Sequence, residues 1–310
     1  MGIELVWLKT WLDVVDTGSF ARAAEAIPLS QPRVSAHVAN LERALGCTLI
    51  ERRVRPLALT EDGRALLPKA RAVLAAVDDL AGHRHSREPL TGLLKVASFA
   101  SASDAFLPAI VRQLRGDHPG LEVGIFDGDV QSIETALTDR RVTVALRPLR
   151  PEPADRALTY LPLWREPFVV LLPTGHPLLA EESIALEQLA SSRVITIGNP
   201  LLDSYLGYEA EAALHASYVE VPMGQVSQQP TTLAAMVRAG LGVGVVNLLA
   251  ASMVRQDGLE HRPIRDLHRH RDVGVWWHSE RPFPRASKAF VEAVTAAPLP
   301  PGTTPVPPSA

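Results

Sequence analysis

The stretch Ser19–Leu45 reads SFARAAEAIPLSQPRVSAHVANLERAL. It predicts two helices joined by a tight turn, each opening on a serine. Ser19 precedes Phe20, Ala23, Ala24 and Ile27, and Ser30 precedes Val34, Val38, Leu41 and Leu45. Apolar residues recurring every three to four positions form one stripe of a helix. A serine hydroxyl at the N-cap accepts a backbone N–H left over in the first turn, and Pro32 suits that turn because its missing N–H costs nothing there. Gln31, Arg33, Ser35, His37 and Asn40 fall off the apolar stripe. An amphipathic helix with a donor-rich face, entered by a short turn from another helix, is the form that reads a DNA major groove. The helix-turn-helix is accordingly placed at 19–38. Gln31 and Arg33 are its expected base readers, since glutamine pairs bidentately with adenine and arginine with guanine. Ser30, Ser35 and His37 are expected at phosphates.

Working outward, Leu5, Leu8, Leu12 and Val15, with Trp11 beside them, predict a helix that stops at Gly18. Beyond Gly46, two short β-prone segments, 47–50 and 57–59, flank a basic tip. This pattern predicts a hairpin wing whose Arg52, Arg53 and Arg55 contact the phosphate backbone. Thr60 is placed to cap the next helix, with Glu61 and Asp62 in its first turn to suit the helix dipole. Leu66, Ala70, Val73, Val77 and Leu80 then alternate spacings of four and three, an a/d seam of two heptads suited to a dimer helix. The alternative is that the stripe packs on its own domain. Pro68 is expected to bend this helix locally, and the polar run from Gly82 to Pro89 marks a hinge.

Composition sets bounds on the rest. The chain has 310 residues and a formal charge of −3, enough for two or three domains with a buried core. Seven arginines face five acids within 19–64, so a modest basic bias is localised on the helix-turn-helix and its wing. The single cysteine, Cys47, excludes an intrachain disulfide and fits a reducing compartment. The N-terminus carries acids and lacks a cleavage site, so it does not read as a signal peptide. No run of ~18 apolar residues predicts a membrane span. The expected location is the cytoplasm.

From Thr91 the pattern changes. Leu93–Phe99, Leu121–Phe126 and Val142–Leu146 are strand-like, alternating with helical Ala105–Leu114 and Ser132–Thr138. After a proline-rich linker at 147–153 the alternation resumes. Strands are expected at 158–163, 168–172, 193–197, 219–221 and 243–246, and helices at 186–190, 204–215 and 232–239. Such alternation predicts a parallel α/β sheet in two halves, with a ligand cleft at the carboxyl ends of the strands. A late strand at 273–277 and a helix at 286–294 are placed to return to the first half. The end, PLPPGTTPVPPSA, is proline-rich and expected to be disordered.

SFARAAEAIPLSQPRVSAHVANLERALGCTLIER with LTEDGRALL resembles the winged helix-turn-helix and linker helix of LysR-type transcriptional regulators. The resemblance continues through GLLKVASFAS, FLPAIVRQLRGDHPGLEV, GHPL at 175–178, VRAGLGVGVV at 237–246 and VWWHSERPFPRASKAFVEAV at 275–294. It covers essentially the whole chain apart from the tail. The family usually has an acidic residue where Thr143 stands and an aromatic where Ile50 stands. The fold implied is α+β and multidomain: a winged helix-turn-helix DNA-binding domain at 1–60, a long dimerising linker helix with hinge at 61–90, and a two-lobed α/β effector domain like a periplasmic binding protein at 91–297. Its first lobe would comprise 91–163 and 265–297 and its second 164–264, with 298–310 left as a tail. The resemblance implies double-stranded operator DNA, a small-molecule co-inducer and further copies of the chain as partners. The copies would form a homodimer through the linker helix and a homotetramer from two dimers. RNA polymerase is a further partner it admits.

The resemblance also places Ser101 near the start of the first lobe's helix, where family members hold a ligand's anionic end. Ser98, Ala102, Asp129, Val130, Ile197, Gly198, Asp203 and Thr231 are effector-binding candidates on the neighbouring loops. Asp127 and Asp129 bring negative charge to this rim, which disfavours a simple dicarboxylate. Other signals point elsewhere. Gly240, Gly242 and Gly244 follow a helix and enter a strand, the reverse of a dinucleotide fingerprint, and read as tight-turn geometry. His261, His268 and His270 have no accompanying ligand set, so neither a metal nor another cofactor is expected. Cys47 reads as a core thiol. Of three function classes, a transcription regulator is favoured. A solute-binding transport protein would need a signal peptide, and an enzyme would need a convergent acid–base set that the sequence does not display.

Overall fold

The computed structural model describes residues 2–51, 57–83, 89–200, 209–217, 219–254 and 258–307. Arg52, Arg53, Arg55, Asp203, the hinge residues 84–88 and the Leu80 side chain therefore lie outside the described residues. The chain divides into two units. One is Met1–Glu88 with Thr138–Arg141 and Glu280–Arg285, and the other is Pro89–Leu137 with Val142–Ser279 and Ala286–Ala310.

The first unit opens with α1 (Leu5–Thr17), α2 (Phe20–Ala26) and α3 (Gln31–Leu45). The apolar stripes read from the sequence converge on one core, in which Trp11, Val14, Ala23, Val34, Val38 and Leu41 are buried together. Leu5 stays outside it, exposed at the start of α1. Gly18 and Gly46 end α1 and α3 in the left-handed region (φ 67° and 75°), where a glycine has no Cβ to clash. Ser19 and Ser30 occupy the N-cap positions, but neither hydroxyl makes the expected capping bond. Thr60 does, its Oγ1 accepting the Gly63 N–H at 2.9 Å. A two-stranded hairpin follows α3, with β1 (Ile50–Glu51) antiparallel to β2 (Ala58–Leu59). The Glu42 carboxylate fixes the entry to β1 by accepting the Leu49 N–H at 2.9 Å.

The 23-residue α4 (Glu61–His83) runs through Pro68 as a single helix. Its expected seam is divided. Ala70 is buried in the first unit's core, where Leu66, Leu67 and Leu74 also pack, whereas Val73 is 46 % exposed. The N-terminal half of the stripe thus serves its own domain, while Val73 faces outward and Val77 is half-buried. Arg71 adds a salt bridge to Asp16 on α1.

In chain order the second unit contains β3 (Thr91–Ser98), α5 (Ala100–Ala105), α6 (Leu107–Asp117), β4 (Gly120–Asp127), α7 (Val130–Thr138), β5 (Val144–Pro148) and β6 (Leu158–Pro173). Then come α8 (Leu186–Leu189), β7 (Val194–Ile197), α9 (Glu209–His215), β8 (Met223–Ser227), α10 (Pro230–Arg238), β9 (Val243–Asn247), α11 (Leu248–Met253), β10 (Leu259–Pro263), β11 (His270–His278) and α12 (Arg285–Ala296). The sheet order is β4-β3-β5-β11-β6-β9-β7-β8, with β10 also on β6. The expected parallel sheet is in fact mixed. β3 is parallel to β4 and β5, and β7 to β8 and β9, but β6, β10 and β11 pair antiparallel.

The strands expected at 158–163 and 168–172 are one strand, β6. Its first part, Leu158–Pro167, pairs with β11, and its second, Phe168–Pro173, pairs with β9 and β10. A single strand therefore carries the backbone from one half of the sheet to the other, and β11 returns the late chain to β5 as expected. The strand expected at 219–221 lies later, at β8, while Val219 and Val221 pack against the core. Gly240 turns with φ +74° after α10, and at Gly242 a Cβ would sit 2.3 Å from the Arg193 carbonyl oxygen. Both support the tight-turn reading. Thr143, where the resemblance implies an acid, has its hydroxyl 2.5 Å from that of Ser287.

Over its described residues, 298–307, the tail expected to be disordered instead pairs with the sheet. The Arg165 N–H donates to the Thr304 carbonyl at 2.6 Å, and Thr304 N–H donates back at 2.9 Å. The reason is that a strand edge offers unpaired backbone groups, which a passing segment can satisfy. Among the described residues no helix is long and apolar enough to cross a membrane.

Candidate functional site

At the start of α3, Ser30, Gln31, Pro32 and Arg33 are all exposed, and Ser35 is half-buried. The apolar stripe of Val34, Val38 and Leu41 fills the core, so the first turn of the helix is left presenting donors outward. His37 departs from the expected exposed face. It is half-buried, with Nδ1 3.0 Å from the hydroxyl of Thr10 on α1. Nε2 is the ring nitrogen that Thr10 does not engage. Asn40 accepts a hydrogen bond from Arg43 at 2.8 Å.

In the second unit a cavity of about 240 Å³ opens at the carboxyl ends of β3, β4, β7 and β8. This is where strands of an open α/β sheet leave space for a ligand, because the connecting loops diverge to opposite faces. Phe99, Phe126, Ile197, Val246 and Pro230 supply apolar walls, and Ser101, Asp127, Asp129, Glu209, Gln228, Asn247 and Arg271 supply polar ones. Of the residues named from sequence, Ser101, Asp129, Val130 and Ile197 line this cavity. Ser98, Ala102, Gly198 and Thr231 are not among its lining residues. Ser98 and Ala102 are fully buried, the Gly198 N–H bonds the Ser227 carbonyl at 2.9 Å, and Thr231 is exposed.

Arg271 organises one wall. Its Nε donates to Glu166 Oε1 at 2.8 Å and Nη2 lies 2.6 Å from the same oxygen. Nη2 also donates to the Ser101 hydroxyl at 3.1 Å, and Nη1 lies 3.6 Å from Glu209. The guanidinium covers the Phe99 ring at 4.4 Å. Glu166, fully buried, uses its other oxygen to accept the Leu249 N–H at 3.1 Å. Burial drives the Glu209 carboxyl from its ordinary 4.5 up to about 8. Glu166 pushes in the same direction, while Arg271 and Arg147 oppose it. Arg147 is itself buried, bonded to Glu134 at 3.1 Å and lying 5.0 Å over the Trp276 ring.

Asp129 links the two sides of the opening. It accepts the Ser132 N–H at 2.7 Å in the first turn of α7, and its second oxygen accepts from Asn199 at 3.2 Å and Gln228 at 3.5 Å. Asp127 accepts from the Ser103 hydroxyl. Asn247 is 5 % exposed and its Nδ2 has no hydrogen-bond partner among the described residues.

Sequence reasoning missed Arg271, Glu166, Glu209 and Asn247. Two of them left a signal: Glu166 is a buried charge in the middle of the otherwise largely apolar β6, and Asn247 is the polar residue that closes the apolar β9. Arg271 sits in the polar run HRHRD, where nothing distinguishes it. Among the described residues no group of three or more His, Cys, Asp or Glu is placed to hold a metal. Cys47 packs against the first unit's core, and burial, with Asp62 and Glu42, pushes its thiol pKa up.

Residues 5–64 match the family model of the bacterial regulatory helix-turn-helix protein, lysR family, and residues 87–298 match the LysR substrate binding domain. The chain is 27 % identical over 298 residues to the uncharacterized HTH-type transcriptional regulator YvbU of Bacillus subtilis, covering 94 % of this chain and 97 % of that one. It is 28 % identical over 247 residues to a probable hydrogen peroxide-inducible genes activator of Mycobacterium leprae, covering 79 % and 78 %. A solved cysteine variant of full-length OxyR from Pseudomonas aeruginosa shares the fold, with a TM-score of 0.78 at 24 % identity, covering 99 % of this chain and all of that one.

Proposed function

The chain belongs to the LysR family of DNA-binding transcriptional regulators, and from that premise we propose that a small molecule in the cavity governs how its α3 helices engage operator DNA. The family is one of regulators, not enzymes. The observation that carries the proposal is the walled cavity at the carboxyl ends of strands from both halves of the sheet, lined by Ser101, Asp129, Val130 and Ile197. A ligand there alters output only by binding one arrangement of the protein more tightly than another.

On the DNA side, Gln31 and Arg33 are assigned to base edges. Ser30, Ser35, His37 and the wing residues Arg52, Arg53 and Arg55 are assigned to phosphates. The outward positions of α4 join two copies, whose recognition helices then reach half-sites about 34 Å apart. Two such dimers form the tetramer, which meets RNA polymerase at promoters in the cytoplasm. The peroxide response named for some relatives is not carried over. A thiol held above its usual pKa is a poor nucleophile toward oxidants, and Cys47 is the chain's single cysteine.

Gln31→Ala and Arg33→Ala are each expected to weaken specific operator binding by about 1–3 kcal/mol and to relax sequence preference at one position, leaving folding unchanged. Unchanged footprints for both variants would refute the base-reading assignment.

A further inference from the structure

We infer that the cavity takes a small amine, a molecule with a protonated nitrogen on an apolar body that also carries a hydrogen-bond acceptor, in preference to a carboxylate. The inference rests on the effector-cavity reading above and adds the chemical class of the ligand.

Arg271 is the lining residue that a carboxylate would need, and its Nε and Nη2 donors are already committed, while its Nη1 faces Glu209 at 3.6 Å. Glu166 takes Nε and Nη2, Ser101 shares Nη2, Glu209 faces Nη1, and Phe99 covers one face. A ligand carboxylate would have to compete with the fully buried Glu166, which has no solvent to retreat to. At the α7 N-terminus the Asp129 carboxylate already accepts the Ser132 N–H, and its charge disfavours a second anion there. Among the described lining residues, three carboxylates, Asp127, Asp129 and Glu209, stand against this one cation. The negative excess persists even when Glu209 holds its proton.

Asp129 is engaged across the opening by Asn199 and Gln228, so the ammonium is assigned to Glu209 at the buried end and Asp127 at the exposed rim. Asn247 is the independent sign that a ligand belongs here. It is a buried lining side chain whose Nδ2 has no partner among the described residues, and a hydroxyl or carbonyl on the ligand would satisfy it. Phe126, Ile197 and Val246 cover the apolar body.

Proton balance follows. Burial keeps Glu209 protonated up to about pH 8, and an ammonium beside it favours the carboxylate, so binding releases that proton to solvent. The charged groups around Glu209 are Arg271 on β11, Glu166 on β6 and Arg147 on β5, with Glu211 on its own helix paired to His215 at 3.5 Å. Affinity for the amine therefore rises with pH through about 8, since a primary amine stays protonated to about 10.

The test is calorimetry on the full-length chain with three probes that share a hydroxyphenylethyl body: tyramine, hydroxyphenylethanol and hydroxyphenylpropionate. Tyramine is expected to bind about tenfold or more tighter than the carboxylate, with the neutral alcohol between them. Its affinity should increase between about pH 6.5 and pH 8.5, and Glu209→Gln should both weaken it and remove that pH dependence. Asp127→Asn, at an exposed position that does not endanger folding, should weaken tyramine several-fold and leave hydroxyphenylpropionate unchanged or tighter. Carboxylate binding as tight as that of tyramine, or tyramine binding indifferent to both substitutions, overturns the amine inference while the cavity reading stands. If none of the three probes binds, the cavity reading falls with it.

Discussion

At Arg271 the guanidinium is enclosed by its own protein: two acids, a serine hydroxyl and an aromatic face surround it, and 7 % of the residue is exposed. Removing one partner of such a buried pair costs more than the pair contributes, because the other charge is left without compensation. Arg271→Met is accordingly expected to destabilise the protein by about 3–5 kcal/mol, read as a fall in the midpoint of urea unfolding. Adding Glu166→Gln to it should recover a large part of that loss, since no isolated charge then remains. Strictly additive losses would show that the two residues are not coupled. Glu166 lies 105 positions from Arg271 in the chain, which is why the pair was illegible beforehand. A charge in the middle of a largely apolar strand signals that a partner must exist, but only the pairing of β11 with β6 says which one. His37 shows the converse. Its spacing placed it off the stripe correctly, yet α1 packs close enough for Thr10 to take one of its ring nitrogens.

Periodicity exposes elements that bury one face, and α1, α3 and α10 were legible for that reason. It says nothing where the apolar pattern is absent or continuous. The α5 sequence ASASDA has no stripe, so this short helix went unseen. β6 is charged in its middle, at Arg165 and Glu166, so one strand read as two. β8 lies at 223–227 instead of 219–221 because its position is set by pairing with β7, a partner that local sequence does not name. For α4 the period was right, and part of the stripe packs on its own unit, the alternative the pattern left open. Ala70 and Leu66 serve the first unit's core, leaving Val73 exposed on the surface assigned to a second copy. Val73→Asp places a charge on that surface without entering the core. It is expected to shift the dimer toward monomer in sedimentation at micromolar concentration, with the helix content and melting temperature of the first unit preserved. Unaltered self-association would move the dimer contact off α4.

For the whole molecule, the family assignment joins two sites that residue-level chemistry treats separately: an exposed donor face on α3 and an acid-rich cavity in the second unit. Regulation requires that occupancy of one change the equilibrium at the other, and such coupling is reciprocal for binding free energies. If tyramine changes operator affinity by some factor, saturating operator must change tyramine affinity by the same factor, about 5–150-fold for coupling of ordinary strength. Operator binding would be followed by fluorescence anisotropy with and without tyramine, and tyramine binding by calorimetry with and without operator. Salt must be held constant throughout, because phosphate contacts make operator affinity fall steeply with ionic strength. Arg33→Ala should lower the operator affinity while tyramine still binds with its original affinity in the absence of DNA. Glu209→Gln should lower tyramine affinity while ligand-free operator binding is retained. Equal factors different from one establish the switch, and the two variants locate its ends. A factor of one in both directions, with tyramine bound, would leave the cavity as a binding site that does not speak to DNA.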